Sequence, residues 1–257
     1  MRVILISVDG MRPDAIADMP RAKRVMAESA SSLNGRTVYP SWTLPCHMSM
    51  FHSVDPGRHG VVTNTYTPQV RPIPGICEVL AAAKKECAFF YNWEELRDLS
   101  RPDSLQFAYF RKGRDIGYDK GNYIVTDAAI DYLNNNHTDF AFLYLGYTDM
   151  NGHRFGWMSK EYMDAMENSW ECIEKLIANL PEDYVFIITT DHGGHDRTHG
   201  TDLPEDMITP IVIRGKGFEP GSVIPTFSIK DIPPTVVSIL GVEPDEEWEG
   251  KSLYQPQ

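Results

Sequence analysis

Apolar positions in this chain alternate between short unbroken runs and helical stripes. Val3 to Val8, Phe140 to Thr148 and Val185 to Thr190 are largely apolar, and each run is followed at once by an aspartate: Asp9, Asp149 and Asp191. Apolar runs of that length predict strands buried on both faces, as in a parallel sheet. Between them the period changes. Ala15, Ile16, Met19, Ala22, Val25 and Met26 recur at helical spacing behind Pro13, which predicts a helix over Asp14 to Ser31. Gly35-Arg36 opens an extended stretch to Tyr39-Pro40, and a helix is expected from about Pro45 within Ser41 to Phe51. Ile76 to Lys85 and Asn122 to Asn134 read as helices, as does Tyr162 to Leu180, with Met163, Met166, Trp170, Ile173, Leu176 and Ile177 on one face. Cys87 to Tyr91 and Thr209 to Arg214 are further strands, and Asp231 to Leu240 is a short helix with Pro233 and Pro234 in its first turn.

Alternating strands and helices predict an α/β fold: a mostly parallel central sheet with helices on both faces. No internal repeat or linker divides the sequence, so residues 1–257 are expected to form one domain. The least regular stretch, around 92–121, is the place for a small insertion.

In such sheets ligands bind beyond the carboxyl ends of the strands. Three aspartates delivered to that edge, with His153 four residues after Asp149, His192 beside Asp191 and His199 close behind, form the donor set of a centre with two metal ions.

Charge and composition narrow the partners. The chain of 257 residues carries a formal net charge of −12, which argues against a nucleic-acid backbone or an anionic membrane surface. A small anionic substrate would then rely on the metal ions for local positive charge. No apolar run is long enough to span a membrane, and the first is too short for a secretory segment. Cys46, Cys77, Cys87 and Cys172 lack CxxC spacing and are too sparse for a disulfide framework, so a cytoplasmic protein is expected. Composition leaves the oligomeric state open.

The candidate nucleophile lies in Ser41-Trp42-Thr43-Leu44-Pro45-Cys46-His47. With a helix starting near Pro45, Thr43 falls at its N-cap, where backbone N–H groups and the dipole favour an anion. A metal-coordinated hydroxyl there becomes a nucleophile at neutral pH, or Thr43 simply caps the helix. Cys46 shares that helix terminus, a setting that lowers a thiol pKa. The other three cysteines read as core residues.

These segments together resemble the nucleotide pyrophosphatase/phosphodiesterase branch of the alkaline phosphatase superfamily. Thr43-Leu44-Pro45-Cys46-His47 followed by Asp55-Pro56-Gly57-Arg58-His59-Gly60-Val61 is similar to its nucleophile segment and the turn after it. Val8-Asp9-Gly10 resembles the first metal-ligand strand, Asp149-Met150-Asn151-Gly152-His153 the Asp-x-x-Gly-His segment, and Asp191-His192-Gly193 the Asp-His-Gly segment. Asp231 to Val236 and Gly250 to Leu253 resemble the closing helix and tail. Five motifs in family order span residues 3 to about 253.

The resemblance implies one ion held by Asp9, Thr43, Asp191 and His192, and another held by Asp149, His153 and a downstream histidine. His199 is the choice for that last ligand and His195 its rival. It further implies a phosphothreonine intermediate at Thr43. Ligands of this mix suit zinc first and manganese second. The branch is expected to carry asparagine where Cys46 stands, so Cys46 and His47 are assigned to the substrate's phosphoryl group or its immediate support. The chain is short for the family, so residues 62–75 or 92–121 would have to cover the site.

The expected activity is hydrolysis of phosphate esters, with diesters or pyrophosphates favoured. Phosphonate, phosphomonoester and sulfate-ester hydrolysis remain alternatives, as does a metal-stabilised protein that binds a phosphorylated ligand without turning it over.

Overall fold

The computed structural model describes residues 1–255. Eight strands form one sheet: β1 (Arg2–Val8), β2 (Ala30–Arg36), β3 (Cys87–Tyr91), β4 (Phe107–Phe110), β5 (Phe140–Leu145), β6 (Tyr184–Thr189), β7 (Ile208–Arg214) and β8 (Phe227–Ser228). Their order across the sheet is β4-β3-β5-β1-β6-β7-β2-β8. From β4 to β6 every pairing is parallel, β7 runs antiparallel to both β6 and β2, and β2 pairs in parallel with β8. The fold is therefore α/β with a mostly parallel sheet.

The helices are α1 (Pro13–Ile16), α2 (Pro20–Ala27), α3 (Thr43–His52), α4 (Pro56–His59), α5 (Ile76–Ala82), α6 (Gly113–Ile116), α7 (Tyr118–Asn135), α8 (Tyr147–Phe155), α9 (Lys160–Asn179), α10 (Pro204–Met207) and α11 (Ile232–Ile239). Side chains alternate across β1 and so feed two cores. Val3 and Leu5 join Leu44, Phe51, Ile76 and Val236 on the face of α3, α5 and α11, with Phe51 edge-on to Phe142 at 5.0 Å between ring centres. Ile4, Ile6 and Val8 join Val25, Val125, Ala129, Met166 and Trp170 on the face of α2, α7 and α9.

Three element boundaries differ from the sequence expectation. The stripe over residues 14–31 is two helices, because Pro20 starts α2 at its first position. Ser31 already belongs to β2, which ends at Arg36 rather than running to Pro40. The run before Asp149 stops being a strand at Leu145; Gly146 turns the backbone (φ −91°, ψ 3°) and α8 begins, so Asp149 and His153 stand one turn apart on a helix. The irregular stretch 92–121 supplies β4, an edge strand paired in parallel with β3.

Below α3, α4 and the turn after it are pinned through His59. The Val61 N–H donates to His59 Nδ1 at 3.1 Å, which puts the ring proton on Nε2, 3.1 Å from Ser49 Oγ. Burial, with some repulsion from His52, lowers the His59 pKa to about 4. The unfolded ring protonates at about 6.5, so unfolding takes up a proton between those values, and stability falls as pH drops from about 6.5 to about 4 and then levels. The size is roughly 3 kcal/mol. His59→Gln should flatten that acid limb relative to wild type in denaturant titrations across this pH range. An unchanged slope would contradict the buried neutral ring.

Candidate active site at the carboxyl edge of the sheet

Strands β5, β1 and β6 are neighbours at the centre of the sheet, so whatever follows their carboxyl ends converges. Asp9 follows β1 directly and Asp191 lies two residues past β6. Asp149 comes from the first turn of α8, and Thr43 is the first residue of α3. Trp42, not Thr43, is the N-cap residue, so Thr43 is released from the capping role considered for it.

Two groups of side chains meet there. Around Asp9, His192 Nε2 stands 3.3 Å from Asp9 Oδ1, 3.2 Å from Asp191 Oδ2 and 3.1 Å from Thr43 Oγ1. Beside it, Asp149 Oδ1 is 3.4 Å from His153 Nε2 and 3.6 Å from His199 Nε2. The rings of His192 and His199 stack at 3.7 Å.

The donor atoms fit cations. Asp9 Oδ1, Asp149 Oδ1 and Asp191 Oδ2 are buried without a hydrogen-bond partner among the described residues, an arrangement a protein avoids unless something positive meets them. Each histidine gives its Nδ1–H to a backbone carbonyl: His192 to Gly193 at 2.7 Å, His153 to Arg197 at 3.0 Å, His199 to Ser41 at 2.8 Å. That fixes the tautomer and leaves every Nε2 lone pair facing the carboxylates. Burial and the adjacent His192 hold the His199 pKa down to about 2, so this ring is a neutral donor at any working pH. His195 faces elsewhere: its Nδ1–H binds Asp206 Oδ1 at 2.7 Å. Asp206 also accepts from Thr201 N and Oγ1 at 2.9 and 2.7 Å, and so pins the loop that carries His199.

Trp157 locks the segments together. Its indole N–H binds Gly10 O at 3.0 Å, and a Cβ at Gly152 or Gly194 would come within 2.7 or 2.2 Å of its ring. Glycine at those two positions lets the ring lie flush between α8 and the turn after Asp191. Tyr144 donates its hydroxyl to Asp9 Oδ2 and keeps that carboxylate from rotating.

Position 46 requires a correction. The Cys46 thiol lies in the core beneath α3, 3.2 Å from the Thr37 hydroxyl, and burial followed by repulsion from Asp191 raises its pKa well above the ordinary thiol value. It is neither activated nor within the cleft, and the assignment to the phosphoryl group does not fit. His47 is also wholly buried. Its Nδ1–H binds Thr43 O at 2.9 Å and lies 3.4 Å from Asp191 Oδ2, while Ser7 Oγ–H reaches its Nε2 at 2.9 Å. It supports Thr43 and Asp191 from below rather than meeting a ligand.

The residue missed in the sequence is Asn64. It lines the cleft with Thr43, and its Oδ1 accepts from Leu44 N–H at 2.9 Å, which leaves its NH2 to offer. A loop asparagine 21 residues after Thr43 carries no periodic signal. The cleft encloses about 260 Å³, with walls from both segments expected to cover it: Asn64 from one, Trp93, Glu95, Arg114 and Tyr118 from the other. Arg12 and Arg58 are paired with Asp14 and Glu247 and take no part.

Two family models match the chain: type I phosphodiesterase / nucleotide pyrophosphatase over residues 3–77, and the metalloenzyme superfamily over residues 111–244. Among solved structures it is similar to murine ectonucleotide pyrophosphatase / phosphodiesterase 5 (14% identity, TM-score 0.80, 99% of this chain and 100% of that one). It is also similar to a phosphonate monoester hydrolase from Silicibacter pomeroyi (16% identity, TM-score 0.76, 98% of this chain and 75% of that one). A curated relative, the 2,3-bisphosphoglycerate-independent phosphoglycerate mutase of Clostridioides difficile (strain 630), is 30% identical over 146 residues, covering 54% of this chain and only 28% of that protein's length. Among the described residues no helix is long and apolar enough to cross a membrane.

Burial, with repulsion from Asp149 and Asp191, raises the Asp9 pKa well above the ordinary carboxylate value. Ionising Asp9 therefore costs the metal-free fold stability, and that cost grows as pH rises above the ordinary carboxylate range. Asp9→Asn should melt higher than wild type in EDTA at neutral pH but gain less on addition of zinc or manganese. A wild-type melting temperature indifferent to chelator and to both metals would remove the case for a metal centre.

Proposed function

The chain belongs to the metalloenzyme superfamily, and from that premise we propose that it is an alkaline phosphatase-like hydrolase of the phosphodiesterase/pyrophosphatase kind, cleaving phosphate diesters or pyrophosphates with Thr43 as nucleophile and two divalent ions as cofactors. The observation that supports this reading is the placement of Thr43 Oγ1 against His192 Nε2, beside three buried carboxylate oxygens that have no hydrogen-bond partner among the described residues. Asp9, Asp191, His192 and Thr43 would hold one ion, and Asp149, His153 and His199 the other, with zinc first and manganese second. Bound there, the ions would lower the hydroxyl pKa, neutralise the phosphoryl oxygens and stabilise the leaving oxygen.

The protein's own groups then do the positioning. The His47–Thr43 carbonyl contact fixes the first turn of α3, and hence the direction of the Thr43 side chain. Thr43 Oγ would bond to phosphorus as the opposite ester oxygen leaves, and water would then hydrolyse the phosphothreonine and restore the hydroxyl. At the α3 terminus Pro45 has no N–H, Leu44 N–H is taken by Asn64 and Cys46 N–H by Trp42 O. Thr43 N–H and the Asn64 NH2 are thus the donors left for a non-bridging phosphoryl oxygen. The stretch of α3 that follows Thr43, Leu44 to Phe51, carries no arginine to clamp a second phosphate charge, which favours a singly charged diester over a dianionic monoester.

Thr43→Ala should abolish turnover of bis(p-nitrophenyl) phosphate while metal content by atomic emission stays near that of wild type. Full turnover in this variant would overturn the nucleophile assignment. A panel of chromogenic phosphonate and sulfate esters run alongside ranks the alternative substrates. Asn64→Ala should lower kcat by about 100-fold, the usual worth of one donor to a developing oxyanion, with KM changing far less. A loss confined to KM would instead assign Asn64 to ground-state binding.

A further inference from the structure

Next to the catalytic cleft of about 260 Å³ lies a chamber of about 530 Å³ that shares three of its wall residues, Arg114, Tyr118 and Met150. The cleft is small for an organic ligand, whereas the chamber has the size of an organic small-molecule site. Arg114 and Tyr118 also border a third depression with Trp93 and Lys112. The junction of all three spaces is therefore an exposed guanidinium beside a phenol ring.

Several arginines of this acidic chain are held by carboxylates: Arg97 with Glu94 on the same segment, Arg12 with Asp14, Arg58 with Glu247, Arg214 with Glu28. Arg154, on the chamber wall away from the cleft, lies over the Phe155 ring, so Arg114 is the guanidinium that borders both spaces. Among the described residues Arg114 has no carboxylate within 4.0 Å, although Glu95 shares the cleft wall. An unpaired guanidinium at the mouth of a reaction site matches a carboxylate or phosphate of the ligand in a bidentate manner. Beyond it the chamber offers Tyr147 and Phe155 as apolar surface, with Arg154 over the Phe155 ring and Asp119, Glu161 and Asp164 around them. Three acids against one guanidinium leave that end of the chamber net negative, and the junction is the more favourable place for a ligand's negative charge.

We propose that one ester substituent of the substrate extends from the cleft past Tyr118 into this chamber and carries an anionic group, a carboxylate or a further phosphate, that Arg114 binds at the junction. This rests on the phosphate-ester reading of the site. It makes Arg114 a specificity-determining residue and the chamber the site of the substituent's organic body.

The test uses two esters of matched shape, phenyl p-nitrophenyl phosphate and 4-carboxyphenyl p-nitrophenyl phosphate, with a 4-phosphonooxyphenyl analogue to separate carboxylate from phosphate preference. Wild-type metal-loaded protein should favour an anionic ester in kcat/KM by about tenfold or more, Arg114→Lys should keep part of that ratio, and Arg114→Ala should bring it near unity. In parallel, calorimetry measures binding of 4-carboxyphenylphosphonate against phenylphosphonate to the same proteins. Equal kcat/KM values in wild type, or a preference that survives in Arg114→Ala, overturn the proposal. Absence of turnover on every ester, with a phosphonate preference that disappears in Arg114→Ala, strikes the hydrolase reading and leaves the anion site standing. Absence of both turnover and preference overturns both.

Discussion

Three carboxylates crowded out of water at one edge of a sheet are the constraint around which this protein is built. Repulsion among Asp9, Asp149 and Asp191, and the cost of burying them, is relieved by protonation, which the raised Asp9 pKa favours, or by cations that complete the cluster. Everything nearby is consistent with that need. Three imidazoles turn their protonated nitrogens outward to backbone carbonyls and their lone pairs inward. Tyr144 restrains one oxygen of Asp9 and leaves the other bare.

The fold supplies the precision that such a cluster demands. Asp9 and Asp191 extend strands with fully buried side chains, so their backbones cannot drift without disturbing both cores. Thr43 starts a helix whose ten residues are all buried, which fixes the hydroxyl by packing rather than by capping. The loop carrying His199 is tied down by Asp206 from below and by the Trp42 ring, 5.1 Å away, on one side. Cleft-lining groups such as Asn64, Glu95 and Arg114, by contrast, come from polar segments on the rim, where sequence can change without touching the core.

That division also explains what could be read from the chain. Fully buried parallel strands leave unbroken apolar runs, so β1, β5 and β6 and the aspartates after them were visible at once, and with them the α/β class. The same signal overran at Gly146-Tyr147-Thr148, which stay apolar enough to look like strand while the backbone has already turned into α8. β2, with the sequence Ala-Ser-Ser-Leu-Asn-Gly-Arg, is legible only at its last two residues, Gly35-Arg36, because its hold comes from pairing with β7 rather than from its own residues. Cys46 was misplaced because its neighbourhood to Thr43 in sequence suggested a shared surface, whereas α3 is enclosed on every side. Asn64 sits on irregular chain and Arg114 on the single turn of α6, and only tertiary structure brings them to the cleft.

The position of β1 has a consequence for how the molecule acquires its shape. Its two neighbours, β5 and β6, are drawn from residues 140–145 and 184–189, so both of its ladders join segments far apart in sequence. Closing loops that long is entropically slow, and the central strand cannot be seated until most of the chain is at hand. The aspartate at its end therefore reaches its partners late, and the ions would be captured by a sheet already assembled rather than acting as the seed around which it forms.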